Sequence, residues 1–366
     1  MANPFRIRSF RISDLRLKLK RPFVTALGVK TATRNAGFQL TLAGGAEGYG
    51  EASTSLALKH LSAGNMAAVL RRLGGRALGQ DCRRWRRLIE AAWRQEPGCQ
   101  PAVAAFECAL LDAWTRALGT SLHRWLGAEK KSLKTDITIS ALPAKAAGRA
   151  AVEAAAEGFD TLKVKLGARN SREDLQRVLQ VRAAAPGARI ILDGNQGLSV
   201  ESACRFVEAC LKIGVRPLFL EQPLPRSALT EHRELRKRLP IPVALDESVM
   251  SPRQALEVLD AEAADILNVK IAKCGILMAL DIIALATAAG KKLMIGCMQE
   301  SARGLSASVH LACGTGAFSA VDLDSDHLIA GPQPQGDFAR RGPLIRLSAP
   351  ASSTVEEPLH PRRELC

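Results

Sequence analysis

From about residue 135 onward, apolar positions fall into short runs separated by longer amphipathic stretches. DITISA, TLKVKL, ARIILDGN, LFLEQP, PVALDES, ADILNVKI, KKLMIGC and FSAVDLD are apolar and rich in β-branched residues. Between them lie segments such as SREDLQRVLQVRAAA and SPRQALEVLDAEA, whose apolar residues recur at helical spacing. Strands alternating with helices about every 25 residues predict βα units and a parallel sheet. Eight such strands favour closure into a (β/α)-type barrel over an open sheet. The first ~130 residues read differently, as strands followed by helices. Residues 16–20 alternate, residues 37–42 and 46–51 form a hairpin-like pair around Ala43, Gly44 and Gly45, and helical patterns begin near Met66. Pro101 opens another helix, through Phe106, Leu110 and Trp114. The expected organisation is an α/β protein with an α+β domain over 1–130 and a barrel over 131–330. The tail over 348–366, with Pro350, Pro358 and Pro361, is expected to be poorly ordered.

Composition narrows the class. Of 366 residues, 47% are hydrophobic and 24% charged, which excludes a mostly disordered chain. The sequence pattern offers no apolar run approaching the ~20 residues of a bilayer span, so no membrane partner is expected. The start, Met-Ala-Asn-Pro-Phe-Arg-Ile-Arg, lacks the apolar core of a secretory signal. Nine cysteines without a CxxC pair fit reduced thiols better than a disulfide framework or a structural zinc site, and imply a cytoplasmic setting. The net charge of +15 raises nucleic acid as a partner. Much of the excess, however, sits in DCRRWRRLIEAAWR, where Trp85, Leu88, Ile89 and Trp93 can face a core. Arg83, Arg84, Arg86, Arg87 and Arg94 then form a solvated face. With 4% aromatics and no nucleic-acid-binding motif, charge alone does not make this a nucleic-acid binder.

In such barrels the chemistry sits at the C-terminal ends of strands. Those ends carry Lys163 and Lys165, then Asp193 and Asn195, Glu221, Asp246 with Glu247, and Lys270. The last two end in Cys297-Met298-Gln299-Glu300 and Asp322-Leu323-Asp324. Any one of these acids alone reads as a turn residue or a helix cap. Carboxylates on three consecutive strands with lysines on the strands either side are another matter, because charge in a barrel mouth must be paired or bind a metal. All-oxygen ligation suits one Mg²⁺ rather than zinc. Lys163 and Lys165, two apart on a strand, share the interior face. Desolvation and a nearby dication are expected to lower a lysine pKa toward the neutral amine that a general base requires. Lys270, well around the barrel, stands on the opposite side of a bound substrate. Two bases flanking a metal-held carboxylate are what removing and returning an α-proton needs.

The runs Thr161-Leu162-Lys163-Val164-Lys165, Asp193-Gly194-Asn195-Gln196-Gly197, Glu221-Gln222-Pro223, Asp246-Glu247-Ser248 and Asn268-Val269-Lys270 resemble the muconate-lactonizing subgroup of the enolase superfamily, for which lysine bases with Mg²⁺ are a recognised pattern. Gly48-Tyr49-Gly50-Glu51 is similar to the capping domain of that family. The resemblance implies a modified (β/α)7β TIM-type barrel without a regular eighth helix, and an N-terminal cap completed by part of 331–347. It implies Asp193, Glu221 and Asp246 as Mg²⁺ ligands, Lys165 and Lys270 as the acid/base pair, and Lys163 as an electrostatic helper. A histidine base near the seventh strand, as in mandelate racemase, is absent there, where Cys297-Met298 stands instead.

Within the two-lysine subgroup, Asp322 and Asp324 select the activity. They face one side as an acidic clamp for an ammonium group, similar to the Asp-x-Asp motif with which dipeptide epimerases hold the free amino terminus. Asp246 to Gln254 also resembles those enzymes, and Thr138 falls where they place a substrate-contacting threonine. Asn195 and Met298 are expected to contact substrate as well. The implied activity is Mg-dependent inversion of the Cα of the C-terminal residue of an L,L-dipeptide through a metal-stabilised enediolate, in a homo-oligomer. The alternatives are an N-acylamino-acid racemase or a muconate cycloisomerase or o-succinylbenzoate synthase on the same scaffold. One departure stands out: where alanine–glutamate epimerases carry an arginine in the cap loop, this chain has Gly28, with Lys30 nearby as a weak anion contact. Cys297 lacks a histidine partner and reads as a small apolar neighbour.

Overall fold

The computed structural model describes residues 3–167 and 171–348, so the expected disordered tail lies, beyond Ser348, outside the described residues. Strands β1 (Ile7–Thr25), β2 (Gly28–Leu42) and β3 (Glu47–Ala52) form an antiparallel sheet in that order. Its inner face carries Phe38, Leu40 and Leu42 onto α1 (Ala63–Ala77) and α3 (Gln100–Ala117), and α2 (Trp85–Gln95) and the short α4 (Leu122–Trp125) pack on α3. The arginine-rich segment behaves as its pattern predicts. Ile89 is buried, Trp85 packs within 6 Å of both Trp114 and Trp125 ring centroids (5.5 and 5.8 Å), and Arg83, Arg84, Arg86, Arg87 and Arg94 remain exposed.

After β4 (Ser132–Lys134) the chain alternates strand and helix: β5 (Ile137–Ile139), α5 (Ala144–Ala156), β6 (Thr161–Lys165), α6 (Ser171–Ala184), β7 (Arg189–Asp193), α7 (Val200–Lys212), β8 (Leu220–Glu221), α8 (Leu229–Arg238), β9 (Val243–Leu245), α9 (Pro252–Asp260), β10 (Ile266–Val269), α10 (Ile271–Ala288), β11 (Lys292–Gly296), α11 (Ala302–Thr315) and β12 (Ala320–Asp322). The eight strands β5 to β12 pair in parallel and in sequence order. The barrel closes between its first and last strands through Asp136 N donating to Val321 O (2.9 Å) and Leu323 N donating to Thr135 Oγ1 (2.8 Å). After β12 comes only the four-residue α12 (Ser325–Leu328), so the eighth helix is vestigial. Strands β13 (Phe338–Arg341) and β14 (Leu344–Leu347) form a separate small sheet with β4.

Alternation places the chemistry. On β6, Leu162 and Val164 face the helical layer, leaving Lys163 and Lys165 inside. Ile191, Ala244, Ile266 and Met294 fill the lower barrel with apolar side chains. Two residues further along the same strands the interior becomes charged, at Asp193 and Asp246. The sequence reading missed α10 as an apolar run. It is the one helix, among the described residues, long and apolar enough to cross a membrane, yet half of it is buried and it packs on α3 and α9. It is a barrel helix, kinked at Gly275, where φ is 71°. That kink makes room for a residue of the cap: a Cβ on Gly275 would lie only 2.2 Å from Glu107 Oε2. Glu107 accepts from Ile276 N (2.8 Å), Leu277 N (2.7 Å) and Trp93 Nε1 (2.8 Å), joining α3 to α10.

Candidate active site

A cavity of about 330 Å³ opens between the cap and the C-terminal ends of the barrel strands. Eight of the expected residues border it: Thr138, Lys165, Asn195, Asp246, Lys270, Met298, Asp322 and Asp324. Lys163, Asp193 and Glu221 do not. They lie just beneath, fully buried, under a lid of ion pairs. Lys165 Nζ donates to Asp193 Oδ2 at 2.5 Å and Lys270 Nζ to Asp246 Oδ2 at 2.7 Å. Lys163 Nζ contacts three acids at once: Asp322 at 2.7 Å, Glu221 at 2.8 Å and Asp193 at 3.1 Å. Lys270 has room beside the neighbouring strand because β11 ends in Gly296, where a Cβ would stand 2.7 Å from Lys270 Cε.

These pairings set the charge of the lysines. Burial does disfavour the lysine cations, but the adjacent carboxylates outweigh it, and both Lys163 and Lys270 are held above the ordinary lysine range. The lowering expected beside a dication is a separate case, because here the ammonium groups themselves supply the positive charge among the acids. The acids divide accordingly. Asp193 and Asp246 are buried, which alone would raise them, but Lys165 and Lys163 pull the first down and Lys270 and Lys273 the second. Glu221 stays raised by burial despite Lys163.

The donor set fits a hard dication. Asp193, Glu221 and Asp246 end the adjacent strands β7, β8 and β9, and all their donors are oxygens. Glu221 Oε1 accepts from Asn268 Nδ2 at 2.9 Å, whereas Oε2 meets Lys163 only as an ion pair without hydrogen-bond alignment. Such oxygen-rich, negative surroundings suit Mg²⁺. The tightest acid group among the described residues is nevertheless a different one. Ligand oxygens of Asp136, Asp322 and Asp324 all lie within 4.8 Å of one another.

Asp136 was missed by the sequence reading. It precedes β5 by one residue and shares the inward face of Thr138, a period-2 relation that could have flagged it. Neither of its carboxylate oxygens has a hydrogen-bond partner, and burial followed by the charge of Asp322 pushes its pKa well up. Asp324 Oδ2 accepts from Thr138 N at 2.7 Å. Burial and Asp322 raise Asp324 to about 6. Lys273 was also missed. One turn beyond Lys270, it donates to Asp246 Oδ1, Asp246 O and Asn268 O, each at 2.8 Å, and so fixes the end of β9 against β10. The buried Arg177 of α6 likewise donates to Leu142 O (2.6 Å) and reaches Lys165 O (3.4 Å), steadying the end of β6.

Lys30, considered as an anion contact, is turned aside. Its Nζ donates to Thr54 O at 2.7 Å and Thr54 Oγ1 at 3.1 Å, and it does not border the cavity. Burial lowers it to about 8. Cys297 borders the cavity, but burial and the nearby Asp324 and Asp322 push its thiol far up, so it is no ready nucleophile.

Known proteins are similar to this chain over most of its length. Residues 7–127 match the N-terminal domain of the mandelate racemase / muconate lactonizing enzyme family, and residues 146–346 match the enolase C-terminal domain-like family. An aromatic dipeptide epimerase from Herpetosiphon aurantiacus is 35% identical over 96% of this chain and 99% of its own length. An L-Ala-D/L-Glu epimerase from Thermotoga maritima is 33% identical over 93% of this chain and 99% of its own. The crystal structure of a dipeptide epimerase from Enterococcus faecalis, complexed with Mg and the dipeptide L-Leu-L-Tyr, superposes with a TM-score of 0.89 at 26% identity, covering 94% of this chain and 97% of that one.

Proposed function

The chain belongs to the mandelate racemase / muconate lactonizing enzyme family of the enolase superfamily, and from that premise we propose that it is a Mg-dependent dipeptide epimerase. It inverts the Cα of the C-terminal residue of an L,L-dipeptide by passing a proton between two lysines. One observation carries this reading. Lys165 and Lys270 border the same cavity from β6 and the end of β10, flanking the acids of β7 to β9, with Asp322 and Asp324 across the mouth.

In this assignment Asp193, Glu221 and Asp246 hold one Mg²⁺. When bound there, the ion would supply positive charge against the negative charge that develops as the α-proton leaves. The remaining work falls to side chains. Asp322 and Asp324 receive the substrate ammonium, and Thr138 N fixes the orientation of Asp324 through its 2.7 Å bond. Lys165 and Lys270 each act at one face of the Cα, one removing the proton and the other returning it. Lys163, wholly enclosed, holds Asp193, Glu221 and Asp322 in a fixed relation. Asn195 and Met298 border the substrate. The division into a cap over 1–130 and a barrel over 131–330 belongs to the same reading. The eight described cysteines are free, which suits a cytoplasmic setting.

The test is a pool of free and N-acetylated dipeptides incubated with the Mg-loaded protein in D₂O. Deuterium is expected at the Cα of the C-terminal residue of free dipeptides, with little in the acetylated ones. Equal exchange in both would reject the ammonium clamp and favour an N-acylamino-acid racemase.

A further inference from the structure

The reacting carbon of a dipeptide has four substituents, and the site accounts for three. On the reading above, the carboxylate faces the acids of β7 to β9, and the peptide nitrogen leads toward Asp322 and Asp324. The α-proton points to Lys165 or Lys270. The side chain is left with the direction out of the barrel, toward the cap. We propose that this side chain is apolar, and that the cap wall formed by Phe23, Leu27, Leu56 and Leu58, with Met298 from the barrel, selects it. The inference rests on the dipeptide-epimerase reading and adds the substrate class.

Two cap segments build that wall. Leu27 lies in the turn between β1 and β2, and Leu56 and Leu58 lie in the loop after β3. They lean on each other: a Cβ at Gly28 would meet Leu56 Cδ2 at 3.5 Å. Leu58 is buried, and Leu27, Leu56 and Met298 are partly buried against the cavity. Phe23 brings the apolar surface up to the proton-transfer centre, its ring centroid 5.8 Å from Lys165 Nζ. The neighbouring polar groups on this side, Thr25 and Ser55, are uncharged. The nearby cap cation, Lys30, is tied to Thr54 and faces elsewhere. His60 and Arg226 border the cavity only as exposed residues of its rim. A carboxylate or ammonium pressed onto this wall would lose its hydration without gaining a partner, whereas an aliphatic or aromatic group would lose only apolar contact with water.

The experiment compares L-Ala-L-Leu, L-Ala-L-Phe, L-Ala-L-Glu and L-Ala-L-Lys as substrates of the Mg-loaded protein, following Cα deuteration in D₂O. The leucine and phenylalanine dipeptides are expected to exceed the other two in kcat/KM by at least about 10-fold, the scale on which an apolar pocket discriminates. Leu56→Arg should shrink the leucine-over-glutamate ratio, with an unchanged circular dichroism spectrum reporting a folded variant. Turnover of the glutamate or lysine dipeptide equal to or above that of the apolar pair would overturn the proposal and leave the epimerase reading standing. If that glutamate preference also vanished in Arg226→Ala, the rim arginine would be the partner of the side chain instead. Absence of exchange with every free dipeptide would remove the epimerase reading, and this inference with it.

Discussion

Two sets of buried carboxylates are partnered in opposite ways. At the junction of cap and barrel, Glu51 and Glu107 are almost wholly enclosed, and each is surrounded by donors fixed in the fold. Glu107 accepts three hydrogen bonds from Trp93, Ile276 and Leu277. Glu51 accepts from Asn35 Nδ2 (2.7 Å), Ser301 N (3.0 Å), Ser301 Oγ and Tyr49 OH (3.4 Å), while Asn35 and Ser53 tie down Gln299 O at the cavity edge. In the barrel mouth the acids face one another. Neither oxygen of Asp136 receives a hydrogen bond from a donor, and one oxygen each of Glu221 and Glu247 lacks a hydrogen bond. Burial and neighbouring acids push Glu247 to about 8. A buried acid that is fully donated to serves the fold. One left facing other acids suits a cation, which on the proposed function is a metal ion or a substrate ammonium.

That contrast can be broken by substitution. The largest effect belongs to the mouth: Glu221→Gln should weaken Mg²⁺ binding, measured by calorimetry, by at least about 100-fold, since loss of an outer partner alone costs 10- to 100-fold at metal sites. Its circular dichroism should be unchanged, and retained affinity would remove Glu221 from the ligand set. At the junction the sign reverses. Glu107→Ala strands three buried N–H groups and should cost at least about 3 kcal/mol in denaturant unfolding, with metal affinity preserved. A smaller loss would mean that the junction relaxes or admits water.

Asp136→Asn should act in the opposite sense and stabilise by about 1 kcal/mol, as relief of functional strain commonly does. The sign follows from linkage. An acid whose pKa is raised on folding binds its proton more tightly in the native state, so it costs stability as pH rises above its unfolded value. The gain from Asp136→Asn should therefore be larger at pH 8 than at pH 5, and a pH-independent loss would contradict it. The smallest effect is on binding. Because Asp324 titrates at about 6, kcat/KM for free-amine dipeptides should fall a few-fold as pH drops through that value, and N-acetylated analogues should not follow.

Much of the mouth was legible because a β-strand has period two and barrel chemistry gathers at strand ends. That regularity alone placed Lys165, Asp193, Asp246, Lys270, Asp322 and Asp324 together. The residues it missed are those whose role depends on elements meeting in space. Lys273 sits on a helix and finds Asp246 only because α10 begins directly beside β9. Glu107 reads as one acid in an apolar cap helix, and two of its three partners are 169 and 170 residues away. The ion pairs were out of reach for a related reason: sequence places the ammonium groups near the acids but does not give the 2.5 Å contact of Lys165 with Asp193 or the 2.7 Å contact of Lys270 with Asp246.

The central claim is that Lys165 and Lys270 work from opposite faces of one carbon. It is tested most directly by Lys165→Ala and Lys270→Ala, each given both epimers of a turned-over dipeptide in D₂O, with Cα deuteration and epimer ratio followed together. Each variant should lose epimerisation by about 10²-fold or more, the lower range for a positioned acid or base. Each should still exchange the α-proton of one epimer, and the two variants should retain opposite ones. Full epimerisation surviving in either variant would mean that a single base serves both faces, and the two-lysine account would be wrong.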